Sequence, residues 1–247
     1  MLTVDVVGFQ RARLSSPSEW VGVGVYAYPE AARLLRTRVV ELRRWGLGYH
    51  YGRGSNRVDL PPLVRTDFPT VRRQHVLSFL DLMELGFVRE FRRVGLSLQA
   101  IRKAHDIARV ILGDVHHPLC LKRLETDGTT IFARLRDEDA GIEEDLLIDL
   151  LTRQHVFLEV IEPLLLKLDY EADTVARWWP DGKDSPVVLD PKRAFGKPIV
   201  AGSGVPTSVL YAAQLAGEDE ARIADWYQVG REEVAAALAF ESRLAAA

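Results

Sequence analysis

Cysteine is almost absent from this 247-residue sequence, which contains Cys120 alone. A single cysteine cannot form an intrachain disulfide, and chains without disulfides are typical of reducing compartments, so we expect a cytoplasmic protein. No apolar run approaches the roughly 20 residues that a membrane-spanning helix needs. The first residues also lack the basic segment and apolar stretch of a signal peptide. These absences exclude a disulfide scaffold and predict a soluble globular protein.

Charge is distributed unevenly along the chain. Residues 1–113 contain 18 Lys and Arg against 10 Asp and Glu, residues 114–185 contain 8 against 17, and residues 186–247 contain 6 against 8. A basic region is typical of proteins that bind nucleic-acid phosphates. An acidic region is either solvated surface or a site for a basic protein. We therefore predict a DNA-binding domain over 1–113, an acidic linking and dimerisation region over 114–185, and a separate module over 186–247.

The stretch YPEAARLLRTRVVELRRW, residues 28–45, has the spacing of two short amphipathic helices. The first is predicted to begin near Pro29 and the second near Arg38. Two short helices joined by about three residues are typical of a helix-turn-helix, whose second helix enters the major groove. Guanidinium groups there can reach phosphates and guanine edges. The candidate DNA-binding residues are Arg36, Arg38, Glu41, Arg43, Arg44, Arg53 and Arg57.

A basic β-hairpin is predicted directly after the second helix. The sequence GLGYHYGRGSNRVDL, residues 46–60, combines aromatic residues with glycines around a basic tip, which favours a wing along the phosphate backbone. Two further helices are expected, one ending at Gly95 and one that begins at Ser97 and ends at Gly113. With the LSLQAIRK junction between them, residues 28–113 resemble a MerR-type winged helix. Where that family usually has a glycine in the first turn, this chain has Arg36.

The middle of the chain predicts a small α+β unit. Asp127-Gly128 lies between alternating residues, as in a tight hairpin. Residues 146–168 are rich in leucine at helical spacing, with Pro163 breaking or restarting the helix. The sequence LDYEADTVARWWPDG, residues 168–182, indicates a second hairpin that carries Trp178 and Trp179. Part of this unit could serve dimerisation.

Potential metal ligands occur together at His116, His117 and Cys120. Three ligands in one short segment fall short of a four-ligand zinc spacing, so we expect a loop with a buried thiol, no metal and no cofactor. The segment 186–210 is rich in glycine and proline, but it is not a phosphate loop, because Pro198 follows Gly196-Lys197 and lacks the needed N–H donor. No nucleophile–base arrangement is apparent, so we do not expect an enzyme.

The glycines and prolines of 186–210 instead predict an extended arm that leads into three short helices, with Ile223 and Trp226 turned inward. This region resembles the small C-terminal domain of VapB-like antitoxins. The matching positions are Asp190-Pro191, Gly196-Lys197-Pro198, Gly202, Val205-Pro206-Thr207 and Tyr227-Gln228-Val229. The Thr-Arg pair of that family is replaced here by Ser203-Gly204.

The two resemblances imply a mainly α protein with small β-hairpins, an α+β fold made of a winged helix-turn-helix, a middle unit and a trihelical module. They imply a dimeric type II antitoxin that represses its own promoter and neutralises a PIN-like ribonuclease toxin. The candidate partner-binding residues are Lys192, Arg193, Lys197, Trp178 and Trp179. Two alternatives stay open: a stand-alone regulator with a small-molecule pocket formed by Trp178, Trp179 and Tyr170, and a second half that only dimerises.

Overall fold

The computed structural model describes residues 21–52, 56–68, 70, 74–124 and 154–246. Its first half is a helix-turn-helix followed by a wing and two longer helices. The elements in chain order are β1 (Tyr26–Ala27), α1 (Tyr28–Leu34), α2 (Val39–Leu47), β2 (Tyr49–Tyr51), β3 (Val58–Leu60), β4 (Val76–Leu77), α3 (Phe79–Arg93) and α4 (Leu98–Ile111). Strands β2 and β3 form an antiparallel hairpin, and β1 pairs with β4. The predicted winged helix-turn-helix is confirmed.

Local capping explains the limits of the two longer helices. The Ser78 hydroxyl accepts a hydrogen bond from the Asp81 N–H, and the Asp81 carboxylate accepts one from the Ser78 N–H, which is a complete capping box at the start of α3. At the start of α4 the Ser97 hydroxyl accepts a single capping hydrogen bond from the Ala100 N–H. Gly95 and Gly113, which follow the two helices, have φ values of 94° and 97°. The sequence therefore predicted both helix ends correctly.

The second half contains a helix and a four-stranded antiparallel sheet. The helix is α5 (Gln154–Leu165), which accommodates Pro163. The strands are β5 (Leu168–Glu171), β6 (Thr174–Trp178), β7 (Val187–Leu189) and β8 (Pro198–Val200), arranged in that order across the sheet. The predicted hairpin that carries Trp178 is thus β5–β6, while Asp127-Gly128 lies outside the described residues.

Three short helices follow the sheet, as predicted: α6 (Thr207–Leu215), α7 (Glu220–Tyr227) and α8 (Arg231–Ala245). They enclose a small core that includes Leu210, Ile223 and Val234. The expectation that Trp226 points inward is wrong. Ile223 and Ala224 provide the buried side of α7, whereas Trp226 is 58% exposed and stacks with the Arg222 guanidinium. No described helix is long and apolar enough to cross a membrane.

The expectation of an extended, unpaired arm is also wrong. Strand β8 is paired with β7 through Leu189 and Pro198, and its three residues are buried. The Pro206 backbone forms a further bridge with Ile199 on the other side of β8. The segment from Lys192 to Thr207 is therefore part of the folded sheet. Its glycines and prolines shape turns between paired strands rather than a free strand for another chain.

The winged helix and the C-terminal module pack against each other around a common apolar core. The larger apolar core extends from Tyr26 to Phe240, a residue of α8. The buried Tyr26 hydroxyl donates to the Gly196 carbonyl at 2.6 Å, and the Val25 N–H donates to the Phe195 carbonyl at 3.1 Å. These contacts attach β1 of the winged helix to the turn that precedes β8.

Candidate nucleic-acid interface

The second helix of the helix-turn-helix presents a basic face to solvent. Leu42 and Trp45 are buried in the core, which fixes the rotation of α2 and leaves Arg43 and Arg44 exposed. Val40 is on the exposed side as well, with 74% of its surface accessible. Sequence reasoning missed Val40, although its place three residues before Arg43 indicates the same face. An exposed apolar side chain on such a helix can contact a thymine methyl group.

The predicted residues at the start of α2 interact with one another. The Arg38 guanidinium donates to the Glu41 carboxylate at 2.6 Å, and the Thr37 hydroxyl donates to it at 3.1 Å. The hydrogen bond from Arg38 lowers the pKa of Glu41, so this carboxyl is ionised at neutral pH. Arg36 lies in the preceding turn with its side chain largely exposed, 3.9 Å from Asp181. Glu41 therefore orients Arg38 beside the exposed face.

The wing lies beside this helix. The Arg44 guanidinium stacks 4.3 Å from the centroid of the Tyr49 ring in β2, which connects α2 to the hairpin. Arg57 is exposed in the wing and pairs with Asp59 at 2.9 Å. Arg53 lies outside the described residues. The structure thus places Arg38, Arg43 and Arg44 at or on α2, and Arg57 in the hairpin that follows it.

The predicted partner-binding residues are mostly engaged within the chain. Trp178 is buried in the core, and the Trp179 indole N–H donates to Asp169 at 2.8 Å. The remaining three are also bound: Lys192 pairs with Glu171, Arg193 donates to the Ala201 carbonyl, and Lys197 pairs with Glu30 of α1. Their contacts stabilise the sheet and its attachment to α1. Trp178 cannot reach a partner in this conformation.

A buried polar cluster lies next to the winged helix, where the sequence predicted a loop with a buried thiol. His117 lies 3.1 Å from Asp67 and Cys120 lies 3.3 Å from Glu84. Burial raises the pKa of the Cys120 thiol well above its usual value, so the thiol stays protonated. Burial alone would raise the pKa of Asp67, but the hydrogen bond and charge of His117 outweigh it and lower that pKa. Asp67 is therefore an anion in the interior.

The helix-turn-helix, the wing and the exposed arginines together define a DNA-binding protein of the winged-helix class. Residues 24–105 match a family described as "Putative DNA-binding HTH domain", and residues 187–240 match one described as "Protein of unknown function (DUF433)". The chain is 31% identical to "Putative antitoxin VapB45" of Mycobacterium tuberculosis, over 87% of this chain and 93% of that protein. The chain belongs to the family of VapB-like antitoxins.

A solved structure supports the same fold. The crystal structure of Rv2018 from Mycobacterium tuberculosis covers 92% of this chain and superposes with a TM-score of 0.69 at 26% sequence identity. That comparison covers the whole of the other chain, so the similarity extends beyond the helix-turn-helix. An antitoxin relationship and a DNA-binding domain indicate a regulatory protein.

Proposed function

We propose that this protein is the antitoxin of a type II toxin–antitoxin pair, which represses its own promoter and neutralises a PIN-like ribonuclease toxin by direct binding. The observation that carries the DNA-binding part is the exposed Arg43-Arg44 pair on α2, with the wing alongside. The antitoxin part is supported by the resemblance of residues 186–247 to VapB-like antitoxins and by the similarity to VapB45.

The proposed docking places α2 in the major groove and the wing on the phosphate backbone. Arg43 and Arg44 then reach base edges or phosphates, and Val40 faces the groove floor. Arg38 and Arg57 extend the basic surface to the backbone on either side. In this arrangement the buried residues Leu42 and Trp45 set the orientation of the arginines and do not contact DNA.

The DNA-binding proposal is tested by the double substitution Arg43→Ala/Arg44→Ala in the full chain. Binding to the promoter should weaken, and the slope of log affinity against log salt should decrease by about one for each phosphate that the protein no longer neutralises. The matched control is Arg222→Ala/Arg231→Ala, which removes two exposed arginines from the C-terminal module. Unchanged affinity and slope in the first variant, or equal losses in both, would reject α2 as the recognition helix.

A homodimer is part of the proposal, because winged-helix repressors read two half-sites with two copies. The exposed Val110 on α4 is consistent with a protein interface there, because 68% of this apolar side chain is accessible. Light scattering at micromolar concentration should give the mass of two chains. A monomeric mass both with and without promoter DNA would contradict the proposed dimer.

We propose that the toxin binds the half of the chain that follows Gly113. This half has an excess of acidic residues, which would attract a basic nuclease surface and repel DNA phosphates. Its helices also expose large apolar side chains, namely Leu215 and Trp226 at 71% and 58%. Exposed apolar side chains of this size are typical of interaction surfaces.

The toxin proposal is tested by co-expression of the full chain with the product of the neighbouring gene. Trp226→Ala should weaken co-purification and growth rescue while promoter binding is retained. Tyr51→Ala removes an exposed aromatic side chain of the wing and is the control, with toxin capture expected to be unchanged. The full chain is used because Phe240 completes the core that contains the winged helix. If toxin capture depends on the wing, or no partner is captured, the antitoxin assignment of this half fails.

The structure gives little support to a small-molecule pocket formed by Trp178, Trp179 and Tyr170. The cleft that Trp178 lines measures about 200 Å³, and neither Trp179 nor Tyr170 lines it. Trp179 is instead directed to Asp169. The antitoxin therefore remains the better account of the second half.

A further inference from the structure

Three potential metal ligands meet between the wing and α4. Asp67 lies in the segment that connects β3 to β4, and His116 and His117 follow α4. Each residue provides one donor atom, and these three atoms lie within 4.8 Å of one another. Asp67 and His117 are buried, whereas the His116 side chain is 23% exposed. Because Asp67 and His117 are 50 positions apart in the sequence, the expectation of no metal was based on an incomplete set of ligands.

Two of the three distances between donor atoms in this group match those around a single small cation. Asp67 Oδ1 is 3.3 Å from His116 Nδ1 and 3.1 Å from His117 Nε2. Ligand atoms about 2.0–2.1 Å from a zinc ion, at tetrahedral angles, lie about 3.3–3.4 Å from each other. Both imidazoles thus approach the same carboxylate oxygen at the spacing that a shared metal ion would impose.

The two imidazoles lie side by side against one oxygen atom. The rings of His116 and His117 are stacked, with centroids 4.6 Å apart. Each ring directs one nitrogen toward Asp67 Oδ1. This geometry lets both rings face one ion bound beside that oxygen.

Glu84 occupies the position of an outer carboxylate behind His117. Its Oε2 atom is 3.7 Å from His117 Nδ1, while its Oε1 atom accepts from the Leu119 N–H at 3.2 Å and pairs with His105 at 3.0 Å. Metal-bound histidines commonly direct their second ring nitrogen to such a carboxylate. Among the buried side-chain atoms that the structure describes, His117 Nδ1 and Asp67 Oδ2 have no hydrogen-bond partner. A bound ion would engage Asp67 and draw His117 Nδ1 toward Glu84.

One of the three ligands, His116, reaches solvent. His116 is one of the residues that line a cleft of about 1010 Å³ between residues 61–66 and α4. This cleft gives an ion a path of entry and leaves room for a water molecule as a further ligand. Asp67, His116 and His117 provide three protein ligands, the number found in zinc sites that keep an open position.

We propose that Asp67, His116 and His117 bind one zinc-like divalent cation, with a fourth position open to the cleft. The ion would fasten the loop after α4 to the segment after the wing. Carboxylate and imidazole ligands favour zinc, and cobalt(II) is a suitable spectroscopic substitute. None of these three residues is among those proposed to contact DNA, and none belongs to the exposed apolar pair Leu215 and Trp226.

The test is metal binding by the full chain, purified without a polyhistidine tag and first treated with chelator. Titration with zinc chloride should show one equivalent bound per chain, and cobalt(II) should give the visible absorption of a nitrogen–oxygen site. His116→Gln and Asp67→Asn should each weaken zinc binding by at least about 100-fold, because removal of even an outer partner lowers affinity 10–100-fold. The control is His50→Gln, which removes an exposed histidine from the wing and should change nothing.

Each outcome bears on the proposal. It is overturned if the unmodified chain binds no zinc at micromolar concentration, if His116→Gln binds as tightly as the unmodified chain, or if His50→Gln causes an equal loss. If Asp67→Asn does not fold, His116→Gln decides the question, because its side chain is partly exposed and the substitution is tolerable. The measurement needs neither DNA nor toxin, so its failure leaves the proposed function standing.

Discussion

Arg36 occupies a backbone conformation that suits glycine better than arginine. It lies in the turn between α1 and α2 with a φ of 48°, in the left-handed region where a Cβ atom is crowded by the backbone. This is the position at which MerR-type proteins usually have glycine. The compensating ion pair with Asp181 is long, at 3.9 Å, and largely solvated, so it contributes little. The chain therefore retains a strained residue at the edge of the proposed DNA-binding face.

Two substitutions at Arg36 distinguish the effect of backbone strain on stability from the effect of the guanidinium charge on DNA binding. Arg36→Gly should leave the protein about 1 kcal/mol more stable to unfolding than Arg36→Ala, because only glycine relieves the left-handed conformation. Both variants lose the guanidinium, so they should weaken DNA binding equally if Arg36 contacts phosphate. Urea unfolding and promoter titration measure the two effects. Equal stability of the two variants would contradict the strained turn.

Asp169 should make stability depend on pH in the acid range. Partial burial raises its pKa, but hydrogen bonds from Lys183 and Trp179 outweigh burial and hold the pKa below the usual 3.8. Because the folded state favours the ionised form, this stabilisation is present above pH 3.8 and is lost as the pH falls through the lowered pKa.

Asp169→Asn should thus reduce stability by about 1 kcal/mol at pH 7, and the difference from the unmodified chain should shrink as the pH falls below 3.8. Urea unfolding of both proteins at a series of pH values measures this difference in stability. Asp184→Asn, at an exposed carboxylate nearby, is the control and should show a much smaller difference. A difference for Asp169→Asn that does not change with pH would show that its charge is not the cause.

The sequence was sufficient to predict the role of a residue where that role depends on its neighbours along the chain. Ser97 could be recognised as a cap because a hydroxyl before an apolar stripe satisfies free helix N–H groups. Arg43 and Arg44 could be placed on a solvated face because Leu42 and Trp45 define the buried one. The association of Asp67 with His117 could not be predicted, since it depends on how α3 and α4 fold back on the wing.

At the scale of elements, the crossing of α1 and α2 depends on a glycine. Gly46 lies in the buried side of α2, where a Cβ atom would overlap the hydroxyl of Tyr28 at the start of α1. The Tyr28 hydroxyl is buried and has no hydrogen-bond partner among the described residues, and burial raises its pKa. The two helices can approach closely because Gly46 of α2 has no side chain. The same approach leaves the Tyr28 hydroxyl of α1 buried without a hydrogen bond among the described residues.

The Gly46–Tyr28 contact predicts an unusual pair of mutational effects. Gly46→Ala should destabilise the fold by about 1–3 kcal/mol despite the higher helix propensity of alanine, because of overpacking. Tyr28→Phe alone should be neutral or stabilising, since it removes an unpaired buried hydroxyl. In the double variant most of the loss should be recovered, which thermal or urea unfolding of all four proteins would measure. Additive losses would exclude the proposed clash.

Some elements could be predicted from the sequence and others could not. The difference depends on how far apart in the sequence the contacting residues are. Helices α1 to α4 and the β5–β6 hairpin form from neighbouring residues, so periodicity and turn residues were sufficient. Strand β8 pairs with β7 across a long turn, and this pairing depends on non-local contacts. The prolines and glycines of this segment therefore predict an unpaired arm when only neighbouring residues are considered.

At the scale of the whole molecule, Gly196 is one of the points where the two halves meet. Its φ is 80°, and a Cβ atom there would overlap the Tyr26 hydroxyl, which donates to the Gly196 carbonyl. Lys197, next in the chain, pairs with Glu30 of α1 at 2.6 Å. Any side chain at position 196 would thus push the sheet away from the winged helix.

Gly196→Ala should therefore destabilise the protein more than Gly217→Ala. Both glycines have positive φ values, 80° and 97°, so both alanines carry the strain of about 1–2 kcal/mol. Only position 196 adds a clash, because a Cβ atom at Gly217 meets nothing within 4 Å. Hydrogen exchange should show faster opening of residues 24–27 and 194–200 in the first variant alone. Equal behaviour of the two variants would mean that this junction contributes little.

The packing of Phe240 against the larger core has a consequence for how the protein is made. Ribosomes add residues in order, so the helix-turn-helix emerges long before the helix that completes its core. Until Phe240 and its neighbours have emerged, the nascent winged helix lacks part of its apolar contacts and the attachment of Tyr26 to Gly196. The apolar core beneath the helix-turn-helix is then completed only near the end of synthesis.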